Sequence, residues 1–409
     1  MPEAITPDEH RARILARIEP LPARSTPLLD ALGLVCVEDV RAAVSLPRFD
    51  NSGMDGYAVR RAEVAGADDR APVTLPVAGE IGAGQAGLQQ LPVGAAAKIM
   101  TGAPVPAGAD AVVPYEWTDR GAERVVITRA PDDGQHIRGA GEDLTAGELV
   151  VAAGTVLGPR HLGLLASVGV AQVQVRPRPR VVVVSTGSEL RAPGEDLAPD
   201  SIYDGNSFLL AAAALRAGAR VDRVGIVADS AQEFLEVLRD RLAEADLVVT
   251  SGGVSQGDFD IVKAALRPEG VWFGPVAMQP GKPQGFGMLT GAGGEVPVVT
   301  LPGNPVSSYV SFHVFVLPAL RRRMGLAPEV PPTLRARLAT GLTSPAGKQQ
   351  YLRGRYDAAA GRVTPVGGAG SHLIGGLARS DCLLVLPPGT TALEAGAEVE
   401  ITLLDGAQW

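Results

Sequence analysis

Residues 247–260, LVVTSGGVSQGDFD, decide the fold. An apolar run without polar alternation ends in two glycines and then a turn rich in hydroxyls and acids. A strand of that texture is buried on both faces of a parallel sheet. The turn leaving its carboxyl end is where such sheets bind ligands. The same design recurs at 301–308, LPGNPVSS, and at 181–190, VVVVSTGSEL. Several such turns in one segment point to an anionic, nucleotide-like substrate.

Working outward, the chain from 181 alternates strand and helix. VVVVSTG, RVDRVGIVAD and DLVVTSGG read as strands, and SFLLAAAALRAGA, AQEFLEVLRDRLAEA and FDIVKAAL as helices. VWFGPVAM, GFGML and VPVVTLPG add strands, and SSYVSFHVFVLPALRRRMG closes the unit as a helix. This alternation predicts a three-layer α/β domain with a parallel or mixed sheet over 179–327. RPRPR at 176–180 is a stiff charged connector. Residues 46–146 change texture. VTLPVAGEI, AAAKIMTG, AVVPYEW and RVVITRA are short β-like runs between Gly/Pro turns, which reads as a β-rich insertion domain. Thr6 before Pro7, Asp8 and Glu9 is a helix start. A second short helix is expected over 26–32. The strand and helix of 149–175 are expected to pack back on the N-terminal helix, making 1–45 and 147–178 one discontinuous domain. After PEVPP the runs LRARLAT, YLRGRYD, CLLVLP and AEVEITLL predict a small C-terminal β domain over 328–409.

The chain has 409 residues, 46% of them apolar but only 4% aromatic, so its cores are built of Ala, Val and Leu. A net charge of −8 argues against a nucleic-acid partner or an anionic-membrane surface. Cys36 and Cys382 lie too far apart in sequence for metal-ligand spacing and read as buried apolar groups. The charged start has no apolar signal core, and no run reaches the length of a membrane span, so a cytoplasmic protein is expected. Gly82, Gly84 and Gly87 satisfy G-x-G-x-x-G, but LQQLPVG after them is no helix, so this is a turn and not a dinucleotide site.

The candidate site residues follow from the turns. Gly252, Gly253 and Ser255 offer consecutive backbone N–H groups suited to phosphate, and the run lacks the GKS or GKT of a P-loop. Asp258 and Asp260 are placed to hold Mg²⁺ beside phosphate oxygens. Lys282, in the Pro/Gly frame QPGKPQGFG, can neutralise an oxyanion. Pro302 and Pro305 stiffen the turn before the last helix, where Ser307 and Ser308 and the helix N-terminus suit an oxyanion. Thr186 to Glu189 sit at a strand end, and Asp204, Gly205 and Asn206 precede a helix, where either capping or ligand contact fits. In the insertion domain, LPRFDNSGMDGYAVR, KIMTGAPVPAGADAVVPYE and GAGED concentrate turn formers around Asp55, Thr101 and Asp143, for which turns alone are a sufficient local account.

FDNSGMDGYAV, KIMTGAPVPAGADAVV, GED, STGSEL, TSGGVSQGDFD, QPGKPQGFG and LPGNPVS occur together in an order that resembles the MoeA family, the molybdopterin molybdenumtransferases related to the E domain of gephyrin. The resemblance runs from residue 6 to the end and is least distinct in the C-terminal domain. It implies insertion of molybdate, the substrate anion, into adenylylated molybdopterin, with release of AMP and assistance from Mg²⁺. It implies an elongated homodimer whose α/β domain is like the Mog-type adenylyltransferases, with such an adenylyltransferase and molybdoenzyme chaperones as partners. Residue by residue, Asp55, Thr101 and Asp143 match the insertion domain's contribution. Glu189, Asp229 and Asp260 match the acids of the α/β domain, Asp260 for Mg²⁺. Lys282, Ser307, Arg353 and Ser371 match molybdate contacts, and Pro302 and Pro305 shape the substrate turn. Exchange of oxo ligands for thiolates needs proton donors, for which carboxyl groups with pKa raised by burial are expected. One departure stands out: many relatives read KPGKP where this chain reads QPGKP, so Gln279 replaces a lysine. A molybdopterin adenylyltransferase and a non-catalytic gephyrin-like scaffold remain as alternatives.

Overall fold

Val181, Val182, Val183 and Val184 show why the chain folds as it does. In a strand, alternate side chains point to opposite faces. Val181 and Val183 join one apolar core, with helix Asn206–Arg216 and the long helix that begins at Pro305; Val182 and Val184 join a second core, with helices Ala231–Leu242 and Ile261–Leu266. Val249 and Val299 repeat the first pattern, and Val248 and Val298 the second. Burial of each such valine contributes about 1.5–2 kcal/mol, so a strand without polar alternation is stable only between two helical layers. The computed structural model describes residues 3–84, 88–227, 230–253, 261–291 and 293–404.

The central sheet has six strands in the order Arg220–Val227, Arg180–Thr186, Leu247–Ser251, Gly294–Leu301, Pro283–Gly291, Trp272–Pro275. The first four are parallel, and the last two run antiparallel to their neighbours. The sheet is therefore mixed, and the carboxyl ends of its four parallel strands lie on one side. A helix crosses behind it from Pro305 to Arg323, with a π-turn over Phe312–Val316.

The segment 46–146 is β-rich, as expected. Its main sheet has five strands, ordered Ala111–Pro114, Gly56–Val59, Ala96–Ile99, Val73–Ile81, Arg124–Ile127. The C-terminal strands close on themselves. Gln349–Asp357 pairs with both Arg362–Pro365 and Cys382–Leu386, and the circuit continues through Leu334–Leu338 and Glu398–Leu403, which makes a small barrel. One short strand of the α/β region, Met278–Gln279, adds in parallel to Gln349–Gln350 of that barrel.

Two local expectations are corrected. Residues 26–32 form no α-helix: Arg24–Pro27 is a strand paired antiparallel with Gln172–Val175, and only a short 3-10 helix at Leu29–Ala31 remains of the expected element. Pro27 and Gly33 bracket too few residues for a stable α-helix. The N-terminal helix Pro7–Leu15 carries the expected Thr6–Glu9 capping box. Ile14 and Ile18, however, pack into the α/β core, and His10 lies against Trp272 and Phe315, so the helix does not pair with 149–175. That later segment packs instead on Ala31, Leu34 and Cys36. Its apolar residues needed a partner, and the local strand pairing supplied one nearer in space. The arginines of the connector fix the junction: Arg176 donates to the Leu21 carbonyl, and Arg178 to those of Leu32 and Gly218. No described helix is long and apolar enough to cross a membrane.

Candidate active site

A cavity of about 1150 Å³ opens at the carboxyl ends of the parallel strands. Gly252 and Gly253 form its floor. Gly252 has φ +94°, and a Cβ there would stand 2.7 Å from the Thr186 carbonyl oxygen; at Gly253, with φ +64°, it would stand 2.8 Å from Val262. Only glycine lets the chain turn between two strand ends this closely. Ser251 anchors the next turn. Its Oγ donates to the Pro302 carbonyl at 3.3 Å, lies 3.1 Å from Ser308 Oγ, and accepts from Asn206 Nδ2 at 2.9 Å. Asn206 Nδ2 also donates to the Gly303 carbonyl, and Ser308 Oγ to that of Pro302. Two strand ends and the start of a helix are thus stitched into one wall by buried hydroxyls and an amide.

The Lys282 turn is braced from below. Gln284, buried, donates from Nε2 to the Gly281 carbonyl and to Ser311 Oγ, each at 2.7 Å. Val276 N donates to the Lys282 carbonyl at 2.7 Å. The ammonium is exposed on this rigid support and lines the cavity. The C-terminal barrel supplies the facing wall through Lys348 and the loop Ala369–His372. Ser371 is clamped on two sides: its Oγ accepts from Asn304 Nδ2 at 3.0 Å, and its carbonyl accepts from Val306 N at 3.0 Å.

Nine of the residues singled out in the sequence line this one cavity: Glu189, Asn206, Gly252, Gly253, Lys282, Pro302, Pro305, Ser307 and Ser371. Asp204 lines it too, but its carboxylate is engaged, accepting from Ser207 N at 3.0 Å and Ser207 Oγ at 2.5 Å. Arg353 does not line it. The guanidinium donates to the carbonyls of Gly368 and Gly370 and holds the loop that presents Ser371. Its distance in sequence from any loop gave no hint that carbonyls would occupy it. Ser255, Asp258, Asp260 and Asp229 lie outside the described residues. Lys348 and His372 line the cavity and were missed. Neither belongs to a motif, and Lys348 reaches the site only because barrel strand Gln349–Asp357 pairs with Met278–Gln279.

Asp55, Thr101 and Asp143 sit in the insertion domain and do not line this cavity. Asp55 and Thr101 do meet: Asp55 Oδ1 accepts from Thr101 N at 2.7 Å and from Thr101 Oγ1 at 2.8 Å. The backbone bond first, and the hydroxyl bond second, hold the Asp55 carboxyl below its usual range. Asp55 is therefore ionised at neutral pH. It is exposed in this chain, so it is not among the carboxyl groups whose pKa burial would raise.

Among the described residues no group of three or more His, Cys, Asp or Glu is gathered as a metal site. Magnesium is bound by one or two carboxylates together with substrate phosphates and water. Glu189 is a suitable hard oxygen donor, exposed beside the glycine floor. The donor set visible here therefore fits Mg²⁺ brought in with a phosphate.

Three family models match in succession: the MoeA N-terminal region (domain I and II) over 5–169, a probable molybdopterin binding domain over 182–322, and the MoeA C-terminal region (domain IV) over 335–404. Molybdopterin molybdenumtransferase 2 of Mycobacterium tuberculosis is 45% identical over 400 residues, covering 96% of this chain and 98% of that protein. The molybdopterin molybdenumtransferase of Haemophilus influenzae is 36% identical, covering 97% and 98%. The crystal structure of a molybdopterin biosynthesis MoeA protein from Pyrococcus horikoshii superposes with a TM-score of 0.83 at 30% identity, covering 99% of this chain and all of that one. With relatives this similar over the whole length, and with the family's turns assembled around one cavity, the chain belongs to the MoeA family of molybdopterin molybdenumtransferases.

Proposed function

We propose that this protein is a molybdopterin molybdenumtransferase of molybdenum cofactor biosynthesis, inserting molybdate into adenylylated molybdopterin with release of AMP. One observation carries the reading: the glycine floor, the Lys282 turn and the Pro302–Ser307 turn all face a single cavity. Each part has a task. The Gly253 backbone N–H suits the diphosphate link of the adenylylated pterin, while Gly252 N donates to the Leu301 carbonyl at 3.2 Å and holds the floor in place. Lys282, Ser307 and Ser371 suit the tetrahedral dianion. Charge gathers on oxygen when the phosphoanhydride breaks, and preorganised donors stabilise it there. Mg²⁺ would be held by Asp258 and Asp260 with Glu189, and would supply further neutralisation of the phosphates. Of the proposed acids, Glu189 lines the cavity, and Asp229 is assigned a part beside it on the family motif. Arg353 acts by fixing the Ser371 loop.

In this reading residues 179–327 carry the substrate turns, 328–409 the facing wall, 46–146 the group Asp55, Thr101 and Asp143, and 1–45 with 147–178 the link between them. Asp55, Thr101 and Asp143 stand away from the cavity of their own chain. They are therefore assigned to the site of a second copy in a cytoplasmic homodimer. A Mog-type adenylyltransferase supplies the substrate, and molybdoenzyme chaperones receive the product.

The test is AMP release from adenylylated molybdopterin in Mg²⁺, with and without molybdate. Molybdate-dependent release with appearance of metal-loaded pterin is expected. A folded protein that releases none refutes the proposal, and adenylylated product made from molybdopterin and Mg-ATP would place the chain one step earlier. Mixed dimers of Asp55→Ala and Lys282→Ala chains should regain activity if the sites are shared. Mixed dimers as inactive as their parents would confine each site to one chain.

A further inference from the structure

The cavity contains a second ammonium that the motifs do not announce. Lys348 lines it from the barrel side, facing Lys282 on the α/β side. The backbone around Lys348 is fixed on both flanks. Gly347 N donates to the Pro388 carbonyl at 3.0 Å, Gln349 N donates to the Ala277 carbonyl at 2.9 Å, and Gln350 is buried. The side chain of Lys348 is nonetheless exposed, and neither lysine is in an ion pair among the described residues. A pinned backbone that presents an exposed cation at the cavity lining, with no ion pair among the described residues, suits a binding residue.

The strand register adds a reason. Met278 pairs with Gln349, and Gln279 with Gln350, in parallel. Lys348 immediately precedes the paired strand, and Gln279 and Lys348 both line the cavity. Two lysines in that one lining would repel each other. Gln279, which stands where many relatives carry lysine, avoids the repulsion and can still donate hydrogen bonds. Among the described residues the other charged or titratable lining groups are Glu189, Tyr203, Asp204 and His372; Asp204 is already engaged by Ser207, and Tyr203 Oη donates to the Glu195 carbonyl at 2.9 Å.

We infer that Lys348 is the second cation of the oxyanion pocket, supplied by the C-terminal barrel in place of a lysine at 279. The inference rests on the functional reading above. It makes anion capture a joint act of two domains: the dianion is gripped only where the barrel and the α/β domain meet.

The experiment compares wild type, Lys348→Gln, Lys348→Arg and the double variant Lys348→Gln/Gln279→Lys. Molybdate alone is titrated calorimetrically, and molybdate half-saturation of AMP release is measured in parallel. Loss of one charge-assisted contact predicts about a tenfold weaker molybdate affinity and a matching rise in half-saturation for Lys348→Gln. Lys348→Arg should stay within about threefold of wild type, and the double variant should recover most of the loss. Lys348→Gln that binds molybdate like wild type, or a double variant that recovers nothing, overturns the inference. So does a wild type that binds no molybdate. A wild type that binds molybdate but releases no AMP instead refutes the functional reading, and the calorimetric comparison still decides the role of Lys348.

Discussion

Gly281→Ala should loosen the Lys282 turn in a way the structure allows to be apportioned. Gly281 has φ +108°, and a Cβ there would lie 2.9 Å from Ser311 Oγ and 3.0 Å from Met278 Cε. The dihedral strain of an L-residue in this region is about 1–2 kcal/mol. Both contacts are with the ends of side chains, so they can be relieved. Moving Ser311 Oγ, however, breaks its 2.7 Å bond from the buried Gln284 Nε2, which removes about 1 kcal/mol more. A loss of about 2–3 kcal/mol is expected, together with weaker molybdate binding as Lys282 leaves its support. Thermal melts of wild type, Gly281→Ala, Ser311→Ala and the double variant separate the parts. Ser311→Ala alone loses the hydrogen bond, and in the double variant that bond can be lost only once. The two substitutions should therefore couple by about 1 kcal/mol. A Gly281→Ala protein that melts and binds molybdate like wild type would refute the argument, and strict additivity would show that the Ser311 displacement does not occur.

Two further outcomes follow from titrating groups. Burial drives the His10 pKa down from 6.5 to about 3, and neither ring nitrogen has a hydrogen-bond partner among the described residues. The unfolded chain therefore takes up the proton first. Stability is complete above pH 6.5, falls as pH drops toward about 3 and is constant below that, with a slope of about 1 kcal/mol per pH unit from this group. His10→Phe should flatten the decline measured by denaturant midpoints between pH 6.5 and 4.5, and equal slopes for the two proteins would exclude His10 as the cause. Thr101→Val removes the hydroxyl donor to Asp55 Oδ1 but leaves the backbone donor, so the lowered Asp55 pKa should rise part of the way toward 3.8. A carboxyl-carbon NMR titration reads this directly, and an unmoved Asp55 would mean that the hydroxyl contributes nothing to the shift.

Legibility divided along physical lines. Local chemistry was readable: the uninterrupted valines specified a two-faced strand, the Thr6–Glu9 box a helix start, and the glycines at 252 and 253 a close passage between strand ends. Residues on one turn were also readable as a group, which is why Gly252, Gly253, Lys282, Pro302 and Ser307 meet in one cavity. What could not be read was any placement set by pairing between distant segments. The addition of Met278–Gln279 to a barrel edge brings Lys348 to the site, yet nothing in KQQYLRG marks that edge. The packing of Ile14 and Ile18 likewise depends on which apolar surface is left open once the sheet is covered.

Arg353 shows how a residue singled out in the sequence can be engaged elsewhere in the fold. A guanidinium beside an oxyanion pocket invites assignment as an anion contact, because its fork matches oxygens in pairs. Here the side chain is buried, its Nη1 and Nη2 donate to the carbonyls of Gly370 and Gly368, and desolvation lowers its pKa. Those carbonyls belong to the loop whose Ser371 is held from the opposite side by Asn304 and Val306. The barrel loop is thus fastened to its own domain by a charge and to the α/β domain by two neutral hydrogen bonds. Charge-assisted bonds are the stronger kind. A separation of the two domains would therefore break at Asn304 and Val306 and at the pairing of Met278 and Gln279 with Gln349 and Gln350, leave the Arg353 loop intact on the barrel, and carry Ser371 and Lys348 away from Lys282 together.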